Sequence, residues 1–210
     1  MSALQPLYSD PRDAALINAT PVVAAPIYGS LTPVAIDTYR FVMAADGLYI
    51  EARSRAVAIR SHVATTFGMP YGGVRPTVDL AAAMPASIHA DVLACLQRQL
   101  PNEGACGVVF NHNTGDYELV EPVINHQSSS HIDYQRIAED ASRTLVVDVH
   151  SHGHGEAYFS RIDNADDIDG IYLAVVFGFD GANLNAPSHV TRLVIYGYQI
   201  DVDWLPWEVR

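Results

Sequence analysis

Apolar positions recur along this chain with two periods, and the change between them marks its elements. Residues 39–44, 48–53 and 56–62 carry β-favouring runs, the first two separated by Ala45-Asp46-Gly47, so they read as strands of a small β-rich unit joined by a hairpin turn. Residues 86–100 place apolar side chains at 88, 92, 93, 96 and 100, which is helical spacing, and Pro101 stops the run. Residues 106–110 then read as a buried strand, 113–116 as a turn and 117–124 as a second strand. A polar loop at 128–130 precedes a predicted short helix over 132–141. Strands are predicted over 145–152, 171–179 and 190–198, with a short helix starting at Ser160 and a Gly/Asn/Pro turn region over 180–188.

Proline punctuates the first thirty or so residues (Pro6, Pro11, Pro21, Pro26, Pro33), which predicts an irregular or extended arm. Gly68, Pro70, Gly72, Gly73 and Pro76 mark a second break. The expected division is therefore an N-terminal arm and small β-rich region over 1–75, of unassigned role, followed by a larger domain over 76–210.

Composition narrows the function. With 49% hydrophobic and 17% charged residues the chain is expected to fold around a core rather than stay disordered. A formal charge of −12 without a Lys/Arg cluster argues against nucleic acid and against an anionic membrane surface. No apolar run approaches the ~18 residues of a membrane span, and the N-terminus lacks the pattern of a signal peptide. A cytoplasmic protein is the expectation. Cys95 and Cys106, the only cysteines, fit neither a disulfide framework nor a metal-ligand pair by spacing.

The chemistry concentrates in residues 146–163, VVDVHSHGHGEAYFSRID. On a strand, His150 and His152 point to one face, Ser151 to the other, and Asp148 shares the histidine face. Asp163 falls in the first turn of the next helix, where Ser160 and Asp163 have the spacing of a capping box. A loop of this length can bring the Asp163 carboxylate back to the two imidazoles. Two histidines, one carboxylate and one open position describe a catalytic rather than a structural zinc site, since structural zinc draws on cysteine thiolates.

His150-Ser151-His152, followed by seven residues, Ser160, two residues and Asp163, resembles the signature of the JAMM (MPN/Mov34, JAB) zinc metalloproteases. The resemblance covers residues 85–200. It implies an α+β fold, a mixed β-sheet flanked by helices, with the N-terminal β-rich region as an extra. Pro101-Asn102-Glu103-Gly104-Ala105-Cys106-Gly107 looks like the family's glutamate-bearing segment, although two residues rather than one separate Glu103 from Cys106. Carried over, one zinc ion per chain would sit on His150, His152 and Asp163, Glu103 would be the general base, and Ser160 would donate to the oxyanion. A one-residue shift reverses a strand's faces, so Glu103 must precede the strand or sit on a bulge; Glu118, Glu121 and Glu51 are the fallback bases. The implied activity is hydrolysis of a peptide or isopeptide bond after the C-terminus of a ubiquitin-like protein. The run HSHGHGEAYFSRIDNADD is similar in particular to a bacterial subgroup, the PRTRC system protein A family. That likeness implies ubiquitin-like or sulfur-carrier-like substrates and ThiF-like and ubiquitin-conjugating-like partners.

Competing readings remain for single residues. Two partly buried strand histidines, and a Ser160 and Asp163 that only cap a helix, are the plainer alternatives. His154 matches no ligand position and reads as an exposed loop residue. Asp166, Asp167 and Asp169 read as a solvated helix face. His62, His89, His112, His126, His131 and His189 are scattered and receive no role, and Trp204 and Trp207 are expected to pack on the core. A non-catalytic MPN-type binding module is the main alternative function. An amidohydrolase- or PHP-type hydrolase would need more chain after His152 than is present.

Overall fold

A computed structural model describes residues 21–181 and 183–208. Its contacts divide the chain into two units, residues 1–52 with 59–77, and residues 53–58 with 78–210. The architecture is α+β, with mixed sheets and few helices.

The first sheet has five strands in sequence order: β1 (Val22–Ala24), β2 (Thr38–Met43), β3 (Gly47–Arg53), β4 (Val57–Thr65) and β5 (Thr77–Leu80). β1 pairs with β2 in parallel, so part of the predicted arm is a strand; residues 1–20 of that arm lie outside the described residues. Val42, Ala44, Tyr49 and Ala25 form a small apolar core in the first unit. Glu51 is buried there between two guanidinium groups, 2.6 Å from Arg40 and 2.5 Å from Arg60. A buried carboxylate survives only with such partners.

The second unit is built on a six-stranded sheet. Its strands are β6 (Gly104–Asn111), β7 (Asp116–Val120), β10 (Arg143–Ser151), β11 (Ile171–Gly178), β12 (Ser188–Ile195) and β13 (Tyr198–Val202), in the order β13-β12-β11-β10-β6-β7. Helix α1 (Ser87–Gln97) lays Ile88, Val92, Leu93 and Leu96 on the sheet. A second apolar cluster holds Val109, Ile137, Leu145, Tyr172, Ala174 and Val194, with Phe159 against it. β11 is buried along its whole length, as its unbroken apolar run requires. In this sheet, among the described residues, only β10 and β11 run parallel, so the chain between them must cross over, and it carries the short helix α2 (Arg161–Asp166) on the way. The C-terminal end of β10 and the start of α2 are thereby brought together.

Three sequence expectations change. Residues 132–141 are not helical: β8 (Ile124–Ser128) and β9 (His131–Tyr134) form a separate hairpin, and the rest is coil. Residues 131–134 satisfy their backbone in the ladder with β8 instead of in a helix, although Tyr134, Ile137, Ala138 and Ala141 fall at helical spacing. The predicted strand 117–124 ends at Val120, with Glu121-Pro122-Val123 turning into β8. The predicted strand 190–198 is two strands, β12 and β13, folded at Tyr196-Gly197. Both turn residues have positive φ, 43° and 86°.

Candidate metal centre

β10 delivers His150 and His152 to the end of the sheet. The strand lies between β6 and β11, and its apolar residues Leu145, Val146, Val147 and Val149 are buried. An extra residue at Val146 interrupts the ladder with β6, and beyond it His150 pairs with Ala105 and Ser151 with Gly104. His152 lies just past the strand, its N–H donating to Phe177 O at 2.9 Å. The two imidazole centroids are 5.4 Å apart.

Helix α2 supplies the carboxylate. Ser160 is its N-cap: Oγ accepts from the N–H of Ile162 and of Asp163, each at 3.2 Å. Asp163 Oδ2 accepts the Ser160 N–H at 2.5 Å, completing the capping box. This leaves Oδ1 free to face His150 Nε2 at 3.3 Å. One ligand atom each from His150, His152 and Asp163 lies within 4.8 Å of the others.

Electrostatics favours a cation at this point. Burial opposes ionisation of Asp163, but the His150 ring and the Ser160 donors hold its carboxyl well below the usual range. Burial likewise pushes the His150 imidazole down, and the Asp163 carboxylate more than reverses that. A bound cation would take the place of that proton. His152 is lowered by burial and by His150, so it favours its neutral form. Its Nδ1 lies 3.1 Å from Glu156 O, and donation there turns the Nε2 lone pair away from that carbonyl.

The residues fit a zinc ion. His150 Nε2 is buried and faces the Asp163 carboxylate at 3.3 Å without a well-aligned hydrogen bond, so an ion between them would satisfy both groups. Two imidazole nitrogens and one carboxylate oxygen form the donor set of a catalytic zinc site, each normally ~2.0–2.2 Å from the metal. Cys95 and Cys106 are buried, unbridged and outside the cluster.

Glu103 immediately precedes β6, outside the ladder that begins at Gly104. Burial raises its carboxyl, with His150 opposing, Asp163 reinforcing and His131 opposing. The other glutamates are engaged elsewhere: Glu118 with Asn111 and Arg143, Glu121 with Arg98, and Glu51 with Arg40 and Arg60 in the first unit. Asp148 takes a hydrogen bond from Tyr134 Oη at 3.2 Å, and burial pushes its carboxyl up to about 6, with His150 opposing. His154 is exposed and outside the cluster.

Arg192 was not singled out by sequence reasoning. It is 2% exposed, pairs with Asp167 at 2.5 Å, donates to Asp163 O at 3.0 Å and lies 3.7 Å over the Phe159 ring. Asp167 is accordingly buried and also accepts from Tyr172 Oη at 2.6 Å, whereas Asp166 and Asp169 are exposed. The only advance signal for this brace was an arginine inside an apolar strand run. Trp207 stacks on His89 at 4.9 Å and near Phe177 at 6.2 Å. A groove of about 700 Å³ lies beside Tyr158, Phe159, Asn164, Arg192, Gln199 and Asp201. The Tyr158 ring, one wall of this groove, packs edge-on against His152 at 4.4 Å.

A mixed sheet whose central strand end and crossover helix converge two histidines and an aspartate defines an α+β domain with a candidate metal site. Residues 85–193 match the family described as prokaryotic homologs of the JAB domain, and the chain belongs to that family. Residues 10–81 match a domain of unknown function, DUF2016. No curated protein matches the chain. A protein of Desulfitobacterium hafniense, solved in solution, is similar over 57% of this chain and 88% of its own, at 16% identity and a TM-score of 0.42.

Proposed function

We propose that this protein is a zinc-dependent peptidase or isopeptidase of the JAMM type. The observation that carries the reading is the convergence of His150, His152 and Asp163 within 4.8 Å, with Glu103 one residue before Gly104, the register partner of Ser151 between the two histidines. Bound zinc would supply Lewis acidity, polarising the scissile carbonyl and acidifying a water molecule. Glu103, its proton affinity raised by burial, takes a proton from the attacking water. The water oxygen bonds to the carbonyl carbon, and Glu103 then passes the proton to the amine nitrogen as the C–N bond breaks. Ser160 Oγ accepts two backbone N–H groups, so its own hydrogen is free to donate to the oxyanion.

The substrate class proposed is the C-terminus of a ubiquitin-like or sulfur-carrier-like protein, taken as an extended segment along the groove beside Tyr158. The likeness of residues 150–167 to PRTRC system protein A supports this, with ThiF-like and ubiquitin-conjugating-like proteins as partners in the cytoplasm. The test is to incubate the zinc-loaded protein with linear fusions and lysine-linked conjugates of ubiquitin-like proteins and follow the products by mass spectrometry. Cleavage after the C-terminal residue, absent in Glu103→Gln, is expected. Zinc-bound protein that cleaves none of them would instead indicate a binding module.

A further inference from the structure

The candidate base is held by something other than the sheet. Glu103 lies one residue before the β6–β10 ladder, so the ladder does not set its dihedrals. Three hydrogen bonds do so instead. Its N–H donates to Ser128 O at 2.8 Å, and its carbonyl accepts from Gln127 Nε2 at 2.6 Å. The following N–H, of Gly104, donates to Ser151 Oγ at 3.0 Å. Gln127 Nε2 also donates to Gln99 Oε1 at 3.0 Å. Gln99 is itself tied to both backbone groups of Ala105, at 3.3 and 3.2 Å. Its side chain lies over Gly104, where a Cβ would stand 3.0 Å from Cδ.

We propose that Gln127 is a positioning residue for Glu103, through which the β8–β9 hairpin holds the Glu103 carboxylate toward the His150–His152–Asp163 cluster; the proposal rests on Glu103 being the base. The hairpin does not need this amide for its own pairing, because residue 127 meets Ile132 through the backbone ladder. Both bonds of the Gln127 side chain leave the hairpin, one to the Glu103 backbone and one to the clamp at Ala105. A residue outside a ladder keeps two soft dihedrals, and a displacement of about 1 Å at a reacting group costs about 10²-fold in rate.

The test uses full-length protein loaded with cobalt(II) in place of zinc. The pH at which cobalt's visible spectrum changes depends on the carboxylate beside it, so Glu103→Gln sets the reference shift. Gln127→Met, equal in length but without a donor, is expected to move the midpoint in the same direction as Glu103→Gln. Cobalt stoichiometry should be unchanged, and amide exchange at Glu103 and Gly104 should be faster in the metal-free protein. Gln127→Asn, which keeps the amide but not the reach, should behave like Gln127→Met and serves if that variant does not fold. A wild-type midpoint in a folded Gln127 variant, beside a shifted one in Glu103→Gln, overturns the clamp alone. An unshifted Glu103→Gln overturns the base assignment and the clamp with it, and wild-type protein that takes up no cobalt overturns the metal reading itself.

Discussion

His150 Nε2 and Asp163 Oδ1 stand 3.3 Å apart, one near the end of a buried strand and the other in the first turn of a crossover helix. No local rule places them together. The parallel β10–β11 pairing forces the crossover, and Arg192 fastens α2 by its hydrogen bonds to Asp163 O and Asp167.

Glu103→Gln should separate metal binding from chemistry. The amide keeps the size of the side chain but cannot take a proton. Zinc content should stay at the wild-type level, while hydrolysis of a responsive ubiquitin-like conjugate should fall by about 10²–10⁴-fold. A variant that still turns over would move the base elsewhere.

Ser160 has two tasks that different measurements distinguish. Losing the N-cap should cost about 1 kcal/mol of stability. Losing an oxyanion donor should cost about 10²–10³ in kcat. Ser160→Ala should show both losses with zinc retained, and Ser160→Thr, which keeps a hydroxyl, should recover most of each. A stability loss in Ser160→Ala with kcat unchanged would leave Ser160 as a cap only.

Gly153 adopts φ +53°, and a Cβ there would lie 2.7 Å from Pro101 O. The left-handed conformation alone costs an L-residue about 1–2 kcal/mol. Gly153→Ala should therefore lower Tm by a few degrees on the usual scale of about 2–4 °C per kcal/mol for a chain of this size. It should also reduce turnover, because Pro101 and Asn102 lead directly into Glu103.

How far the chain could be read in advance differed by kind of feature. The candidate residues were legible one by one, because a strand end and a capped helix start are local patterns, while their convergence depends on the crossover between β10 and β11. Helix α1 and strands β6, β10 and β11 were legible from their periods. The β8–β9 hairpin was not, since the polar run Asn125–Ser130 carries no alternating pattern and its pairing depends on neighbours. β13 was hidden because its turn uses Tyr196 in the left-handed region, where Asn or Asp is the usual signal. Arg192 was hidden because its partners Asp163 and Asp167 lie on helix α2 and at its C-terminal cap, 29 and 25 residues away in sequence.

Acid stability offers a check on packing away from the metal. Burial lowers the His89 imidazole below its ordinary value, with Glu208 opposing and His189 reinforcing. The unfolded chain then takes up its proton at a higher pH than the folded chain, so His89 contributes stability at neutral pH that is lost as the pH falls through the ordinary histidine range. Replacing His89 with Phe keeps a ring against Trp207 and should flatten that loss, seen as a smaller difference in unfolding free energy between about pH 7.5 and about pH 5.5. An unchanged difference would mean that His89 protonates equally in both states.

The central claim is that His150, His152 and Asp163 together hold one zinc ion. Elemental analysis by inductively coupled plasma mass spectrometry, on protein reconstituted with zinc and then desalted, tests it most directly. The expected result is one zinc per chain in the wild type and in Glu103→Gln, and close to none in Asp163→Ala or His150→Ala. Wild-type protein without zinc, or an Asp163→Ala variant that retains it, would contradict the account.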